Sequence, residues 1–151
     1  MTLARLTASW FGCGFLPLAP GSWGSLAALP LAWGIVLFGG KLWLLAAAVA
    51  VFIVGCVAAE HATRDGTDRD PGWIVIDEVV GQWLTLLILP LNLLAFVIGF
   101  LLFRLFDIWK PWPVRWAERR YDGGFGIMID DVIASLYAVI VIVIGRIVLE
   151  R

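Results

Sequence analysis

Five long apolar runs alternate with short polar breaks along the chain, and that pattern predicts a bundle of membrane helices. The runs are Leu26–Phe38, Leu42–Ala59, Trp73–Leu89, Leu93–Trp109 and Val132–Leu149. Leu42–Ala59 would rise about 27 Å as a helix, close to a hydrocarbon core of about 30 Å. Its alanines and Gly55 suit close helix packing. Gly39-Gly40-Lys41 reads as a tight turn between the first two runs.

Ahead of the first run, Ala4–Phe11 reads as a short interfacial helix with Trp10 at headgroup level. Gly12–Ser25 is too rich in Gly and Pro for a helix and too apolar for a solvated loop, so a re-entrant turn is expected. Ser22 or Ser25 could cap the helix that follows it. Residues 60–73 are the most hydrophilic stretch. There Arg64, Asp65, Asp68 and Arg69 read as a solvated connector, and Asp70-Pro71 as a helix start with Pro71 in the first turn. Asp77 and Glu78 then fall about two turns into an apolar helix, where they are either hydrated at the interface or held by a cation.

The turn at Leu89-Pro90-Leu91-Asn92 decides the topology. As one span, residues 79–103 would put Asp77/Glu78 and Asp107/Asp130/Asp131 on opposite faces. As a hairpin, both groups share a face. Trp73–Leu89 and Leu93–Trp109 are 17 residues each, at the lower limit for spanning. The hairpin also gathers Arg5, Arg64, Arg69, Arg104, Lys110, Arg115, Arg119 and Arg120 on one side. It leaves Lys41, Arg146 and Arg151 on the other. The positive-inside bias then places the acidic groups in the cytoplasm. Arg104, Asp107 and Lys110 are spaced by three and share a helical face; Pro111 and Pro113 end that helix. Trp109, Trp112 and Trp116 mark the membrane surface, Arg115–Arg120 an interfacial helix, and Asp122–Gly126 a flexible turn.

Composition supports this reading. Hydrophobic residues make up 62% of the 151 residues and mean hydropathy is +0.94. Soluble domains use about 45–50% apolar residues, so the surplus must face lipid. The expected fold is therefore all-α: a single membrane-embedded domain over residues 1–151, with about five membrane helices, some short or re-entrant, and an interfacial helix. A net charge of −1 gives no case for nucleic acid, whereas anionic lipid remains open because the charges are local. Cys13 and Cys56 form no CxxC pair or disulfide framework. The N-terminus lacks a signal-type apolar core, so no cleavage is expected. His61 is the sole histidine and reads as structural.

The chemistry-bearing residues are Asp77, Glu78, Asp107, Asp130 and Asp131, brought to one face by three helix ends. Carboxylate oxygens suit a hard cation such as Mg²⁺, which keeps waters and substrate phosphates as further ligands. Zinc does not fit one histidine and two separated cysteines. Arg104 and Lys110 flank Asp107 and could neutralise phosphoryl oxygens. Together these suggest metal-assisted hydrolysis of a phosphate monoester, with a water or a carboxylate as nucleophile. A cysteine phosphatase is excluded because Ala19 and Ala62 stand where its arginine would be, and no Walker loop is present. A cation or proton-coupled transporter would place its carboxylates in mid-bilayer, and here they cluster at one surface. A phosphatidyltransferase would need Ala-Arg after its Asp-Gly pair, which Asp122-Gly123 lacks.

Three blocks in order resemble the bacterial phosphatidylglycerophosphatase A family. The first is Leu16-Pro17-Leu18-Ala19-Pro20-Gly21-Ser22-Trp23-Gly24-Ser25, with Ser22 in place of the usual Thr. The second is Asp77-Glu78-Val79-Val80-Gly81, preceded by Asp70-Pro71. The third runs from Phe103-Arg104 through Asp107, Lys110-Pro111 and Pro113 to Gly123-Gly124-Phe125-Gly126-Ile127-Met128 and Asp130-Asp131. The resemblance implies a Mg²⁺-dependent, multi-pass inner-membrane enzyme of phospholipid biosynthesis that converts phosphatidylglycerophosphate to phosphatidylglycerol. It implies that Asp77, Glu78, Asp107, Asp130 and Asp131 form the catalytic metal site and that Lys110 and Arg104 contact phosphate. Ser22, Ser25 and the Gly123–Gly126 stretch, including Gly124 and Gly126, would shape the pocket.

Overall fold

The computed structural model describes residues 2–64, 66, 68 and 70–150; Asp65 and Arg69 of the expected connector lie outside them. Seven α-helices occur among the described residues: α1 (Leu3–Ala8), α2 (Pro20–Gly39), α3 (Lys41–Thr63), α4 (Ile76–Leu86), α5 (Leu93–Trp109), α6 (Val114–Arg120) and α7 (Gly123–Leu149). A 3₁₀ turn, Cys13–Phe15, lies between α1 and α2. Three helices, α2, α3 and α7, are long and apolar enough to cross a membrane.

The shortest of the apolar helices sits at the centre. Nine of the eleven residues of α4 are buried, and α2, α3, α5 and α7 pack around it. Eleven residues rise about 17 Å, little more than half a hydrocarbon core. After α4 the chain turns at Pro90–Asn92 and returns as α5, whose bounds coincide with those expected. Asn92 caps α5, its Oδ1 accepting from the Ala95 amide at 2.8 Å. Arg146 of α7 donates to the Ile88 carbonyl at 3.1 Å and ties the turn to the bundle. The expected hairpin is thus present, and it brings the acidic ends of α4 and α5 together.

Alanines sit at the closest helix contacts, beside larger buried side chains such as Phe103, Leu44, Ile76 and Leu86, and many large residues cover the outside. Ala28, Ala32, Ala48, Ala59, Ala134 and Ala138 are fully buried, while Leu37, Phe38, Trp43, Ile53, Leu94 and Ile144 are exposed. Helix backbones therefore approach closely, as lipid-embedded helices require when no hydrophobic force separates their faces from their surroundings. Gly124 of α7 is the tightest such contact: a Cβ there would lie 1.9 Å from the Cys56 carbonyl oxygen of α3.

Several expected boundaries move. Residues 20–25 are helix, not turn: Pro20 starts α2 at its first position, and Gly21 and Gly24 face Glu78 and Val75. Neither Ser22 nor Ser25 caps α2; Ala19 holds that position in a left-handed conformation, and Ser25 is buried inside the helix. Pro71 does not open α4. It belongs to a turn that stacks Trp73 on Phe15 at 5.5 Å, and α4 begins at Ile76. Trp10 is buried rather than presented at the surface. Left-handed backbone at Trp10 and Phe11 turns the indole inward against Trp83, ring centres 5.9 Å apart, and leaves Phe11 exposed. Finally, α7 begins at Gly123 rather than Val132, because Glu60 of α3 accepts from the Gly124 amide at 2.7 Å and satisfies the helix start.

Candidate active site

Three helices converge on one acidic centre. Asp77 and Glu78 lie in the first turn of α4, not two turns deep, where the positive end of the helix favours them. Asp107 is in the last turn of α5, and Asp130 and Asp131 lie two turns into α7. Asp77, Asp107, Asp130 and Asp131 are all buried. Gly81 permits this convergence: a Cβ there would meet the Phe103 ring at 2.4 Å and the Asp131 carbonyl at 2.9 Å.

The carboxylates sort into overlapping groups. Asp77, Asp130 and Asp131 each offer an oxygen, and these lie within 4.8 Å of one another. Glu78, Asp107 and Asp131 do the same, so Asp131 belongs to both groups. A third group, Asp70, Glu118 and Asp130, runs from an exposed to a buried position.

Two cations border the centre. Arg104 forms an ion pair with Asp107, one turn on, and its Nη1 is 3.6 Å from Glu78 Oε1. Lys110 ends α5 in a left-handed conformation, strained for a side-chain-bearing residue. Its Nζ donates to Asp130 Oδ2 and to Glu118 Oε1, each at 2.9 Å. Burial would lower the Lys110 pKa, but Asp130 and then Glu118 outweigh it and hold the ammonium above the ordinary lysine range. Asp70 is open to water on one side, yet the protein crowded around it raises its carboxyl pKa. Lys110 opposes that rise and Glu118 adds to it.

Five carboxylates against two cations leave negative charge uncompensated. Asp77 Oδ1, Glu78 Oε2 and Asp131 Oδ2 are buried and accept no hydrogen bond among the described residues. Buried polar atoms are normally satisfied, so these oxygens need a partner. Oxygen-only donors in overlapping threes suit a hard divalent cation. The residues present therefore fit Mg²⁺.

The structure separates the other expected site residues. Gly21 faces Glu78 and Arg104, and Ser22 follows it half-buried. Ser25 Oγ is buried without a partner among the described residues, as are both amide atoms of Gln82, and nothing in the structure explains either. Gly126 lines a water-side cavity of about 510 Å³ with Asp68, Asp70, Glu118, Asp122 and Asp130. Gly124 does not; it packs on α3. His61 is exposed, its Nδ1 2.8 Å from the Val57 carbonyl, away from the centre. Sequence reasoning missed Glu118, Asp70 and Glu60. Their partners lie 8, 60 and 64 residues away along the chain, the first across the helix break at Pro111 and Pro113 and the others on separate helices; only Asp70 carried a signal, through its place before Pro71.

Fold and site together define a helical membrane protein with a buried, all-oxygen acidic centre beside two cations. A sequence profile described as "Phosphatidylglycerophosphatase A" matches residues 6–146. Two curated proteins of that same name are similar to this chain. One, from Escherichia coli (strain K12), is 41% identical over 133 residues, covering 87% of this chain and 77% of the relative. The other, from Haemophilus influenzae, is 44% identical over 142 residues, covering 91% and 85%. A third relative, from Bacteroides thetaiotaomicron, is 38% identical over 151 residues, covering 95% and 94%. It carries the provisional name of a phosphatidylinositol-3-phosphatase. No solved structure matches the chain. The chain belongs to the phosphatidylglycerophosphatase A family, a family of phosphatases.

Proposed function

We propose that this protein is a Mg²⁺-dependent phosphatase that removes the terminal phosphate of phosphatidylglycerophosphate and leaves phosphatidylglycerol. We place it in the bacterial inner membrane with its acidic centre toward the cytoplasm. In this reading α4 and α5 form a re-entrant pair, giving five membrane helices with α2, α3 and α7. The observation that carries the reading is the set of buried, unpartnered carboxylate oxygens beside Lys110.

Asp77, Glu78, Asp107, Asp130 and Asp131 would hold Mg²⁺, which supplies Lewis-acid polarisation of the phosphoryl group and charge neutralisation when bound. The chain's own residues do the rest. Lys110 and Arg104 can exchange a carboxylate partner for a phosphoryl oxygen and so orient the terminal phosphate. A carboxylate oxygen of this set that the cation leaves free can accept a proton from the attacking water. The water oxygen bonds to phosphorus as the P–O bond to the glycerol oxygen breaks; the proton held by the carboxylate passes to the glycerol oxygen, and inorganic phosphate leaves. The transporter reading is not favoured, because the carboxylates gather at one end of the helices rather than along a path.

The test is phosphate release from phosphatidylglycerophosphate in detergent micelles, with Mg²⁺ or with excess chelator. Release is expected with Mg²⁺ only, and Asp107→Asn should lower it about a hundredfold or more. Chelator-resistant release would overturn the metal assignment; no release from folded protein would overturn the substrate.

Gly21→Ala probes the roof of the centre. A Cβ there would sit 1.9 Å from Glu78 Oε1 and 3.0 Å from Arg104 Nη1. These side-chain ends can shift, so the fold should survive while the phosphate cradle is displaced. Turnover is expected to fall at least about tenfold with an unchanged far-UV circular dichroism melt. Full activity would remove Gly21 from the site.

A further inference from the structure

A second cavity of about 510 Å³ opens beside the acidic centre, and its charge is of the opposite sign. Lys110, Arg115 and Arg119 line it together with Trp109, Trp112 and Trp116, and among the described residues no carboxylate lines it. The three indoles are 60%, 77% and 49% exposed, so the cavity opens outward through the residues that favour the lipid–water boundary. Arg119 also lines the acidic cavity, and Lys110 Nζ is bonded to Asp130. The two cavities are thus neighbours, divided by the Lys110–Glu118 ion pair.

We infer that this basic, tryptophan-lined cavity is a subsite for the inner phosphodiester of the lipid substrate. The inference rests on the hydrolase reading above. Phosphatidylglycerophosphate carries two phosphates joined by one glycerol: a terminal monoester, which reacts, and an inner diester, which bears the acyl chains. With the monoester at Lys110, the three-carbon bridge leads the diester to an adjoining site. Guanidinium groups match a phosphate in shape and charge. Tryptophans at the rim cover the glycerol and the first carbons of the acyl chains. Arg115 is exposed and forms no hydrogen bond or ion pair among the described residues, so its guanidinium is available to the ligand. The subsite makes Arg115 and Arg119 selectivity residues: they recognise a part of the lipid that does not react.

The test is steady-state phosphate release in mixed micelles, with two inhibitors. Phosphatidylglycerol retains the diester without the monoester; inorganic phosphate mimics the monoester alone. Arg115→Gln should raise KM for phosphatidylglycerophosphate and Ki for phosphatidylglycerol in parallel, each about tenfold. Its kcat should change far less, and Ki for inorganic phosphate should stay constant. Arg115→Lys should recover most of both constants. Failure of phosphatidylglycerol to compete with substrate in the native protein would overturn the subsite. So would a kcat defect at constant KM, or a parallel rise in Ki for inorganic phosphate. Absence of any phosphate release by the native protein would instead strike the hydrolase reading itself, and the subsite with it.

Discussion

Asp131→Asn is expected to abolish phosphate release, by roughly a thousandfold, while making the cation-free protein more resistant to heat. Asp131 is the carboxylate shared by both buried groups of ligand oxygens, so its loss weakens both at once. It is 2% exposed and Oδ2 has no hydrogen-bond partner among the described residues, so Asn can take its place without breaking a bond to that oxygen. Around it stand Asp77, Glu78, Asp107 and Asp130, whose mutual repulsion in a low dielectric opposes folding when no cation is bound. Removing one member relieves that repulsion. With excess chelator, the variant should melt about 3 °C above the native protein in detergent. Adding Mg²⁺ should raise the native melting temperature by mass action and leave that of the variant nearly unmoved. Thermal melts with and without Mg²⁺, beside a phosphate assay, test this. A variant that keeps a tenth of native turnover, or melts lower than the native protein in chelator, would remove Asp131 from the centre.

Gly124→Ala is expected to have the second-largest effect, through folding rather than chemistry. The added Cβ would lie 1.9 Å from the Cys56 carbonyl oxygen and 2.7 Å from the Glu60 amide nitrogen. Both are backbone atoms of α3 and cannot swing aside. The helices must separate, which also strains the hydrogen bond from the Gly124 amide to Glu60. A cost of about 3 kcal/mol is expected, seen as lower yield and an earlier melt. The fraction that does fold should retain the native KM. An altered KM with native stability would return Gly124 to the substrate pocket.

The sequence disclosed the acidic centre because its chemistry is local. Carboxylates are costly in an apolar run, so Asp77, Glu78, Asp107, Asp130 and Asp131 stand out wherever the helices happen to lie. The α4–α5 turn was equally legible, since Pro90 and Asn92 break the helix and cap the next. The start of α2 was not. Glycine and proline in residues 20–25 signal a turn by propensity, but here they serve close approach between helices, a tertiary demand that no local pattern expresses. The same ambiguity hid the first two turns of α7. Glu60, Asp70 and Glu118 escaped because their roles come from partners that meet only in the folded chain. Trp10 was misplaced for the opposite reason. An aromatic at a helix end fits the interface in general, and only the backbone turn at Trp10–Phe11 directs this one inward.

The alanines and glycines at the helix contacts add a second class of intolerant position to the usual map of mutational tolerance. In a water-soluble protein the bulky aliphatic residues specify the core, and trimming them is what damages it. Here Leu37, Ile53, Leu94 and Ile144 face outward, where any apolar neighbour of similar volume serves equally well. Gly81 and Gly124 have no such latitude, because a single methyl at each would enter space that another helix already occupies. The identity of this fold is therefore written in its smallest side chains as well as in the large ones it buries, Phe103, Leu44, Ile76 and Trp83 among them.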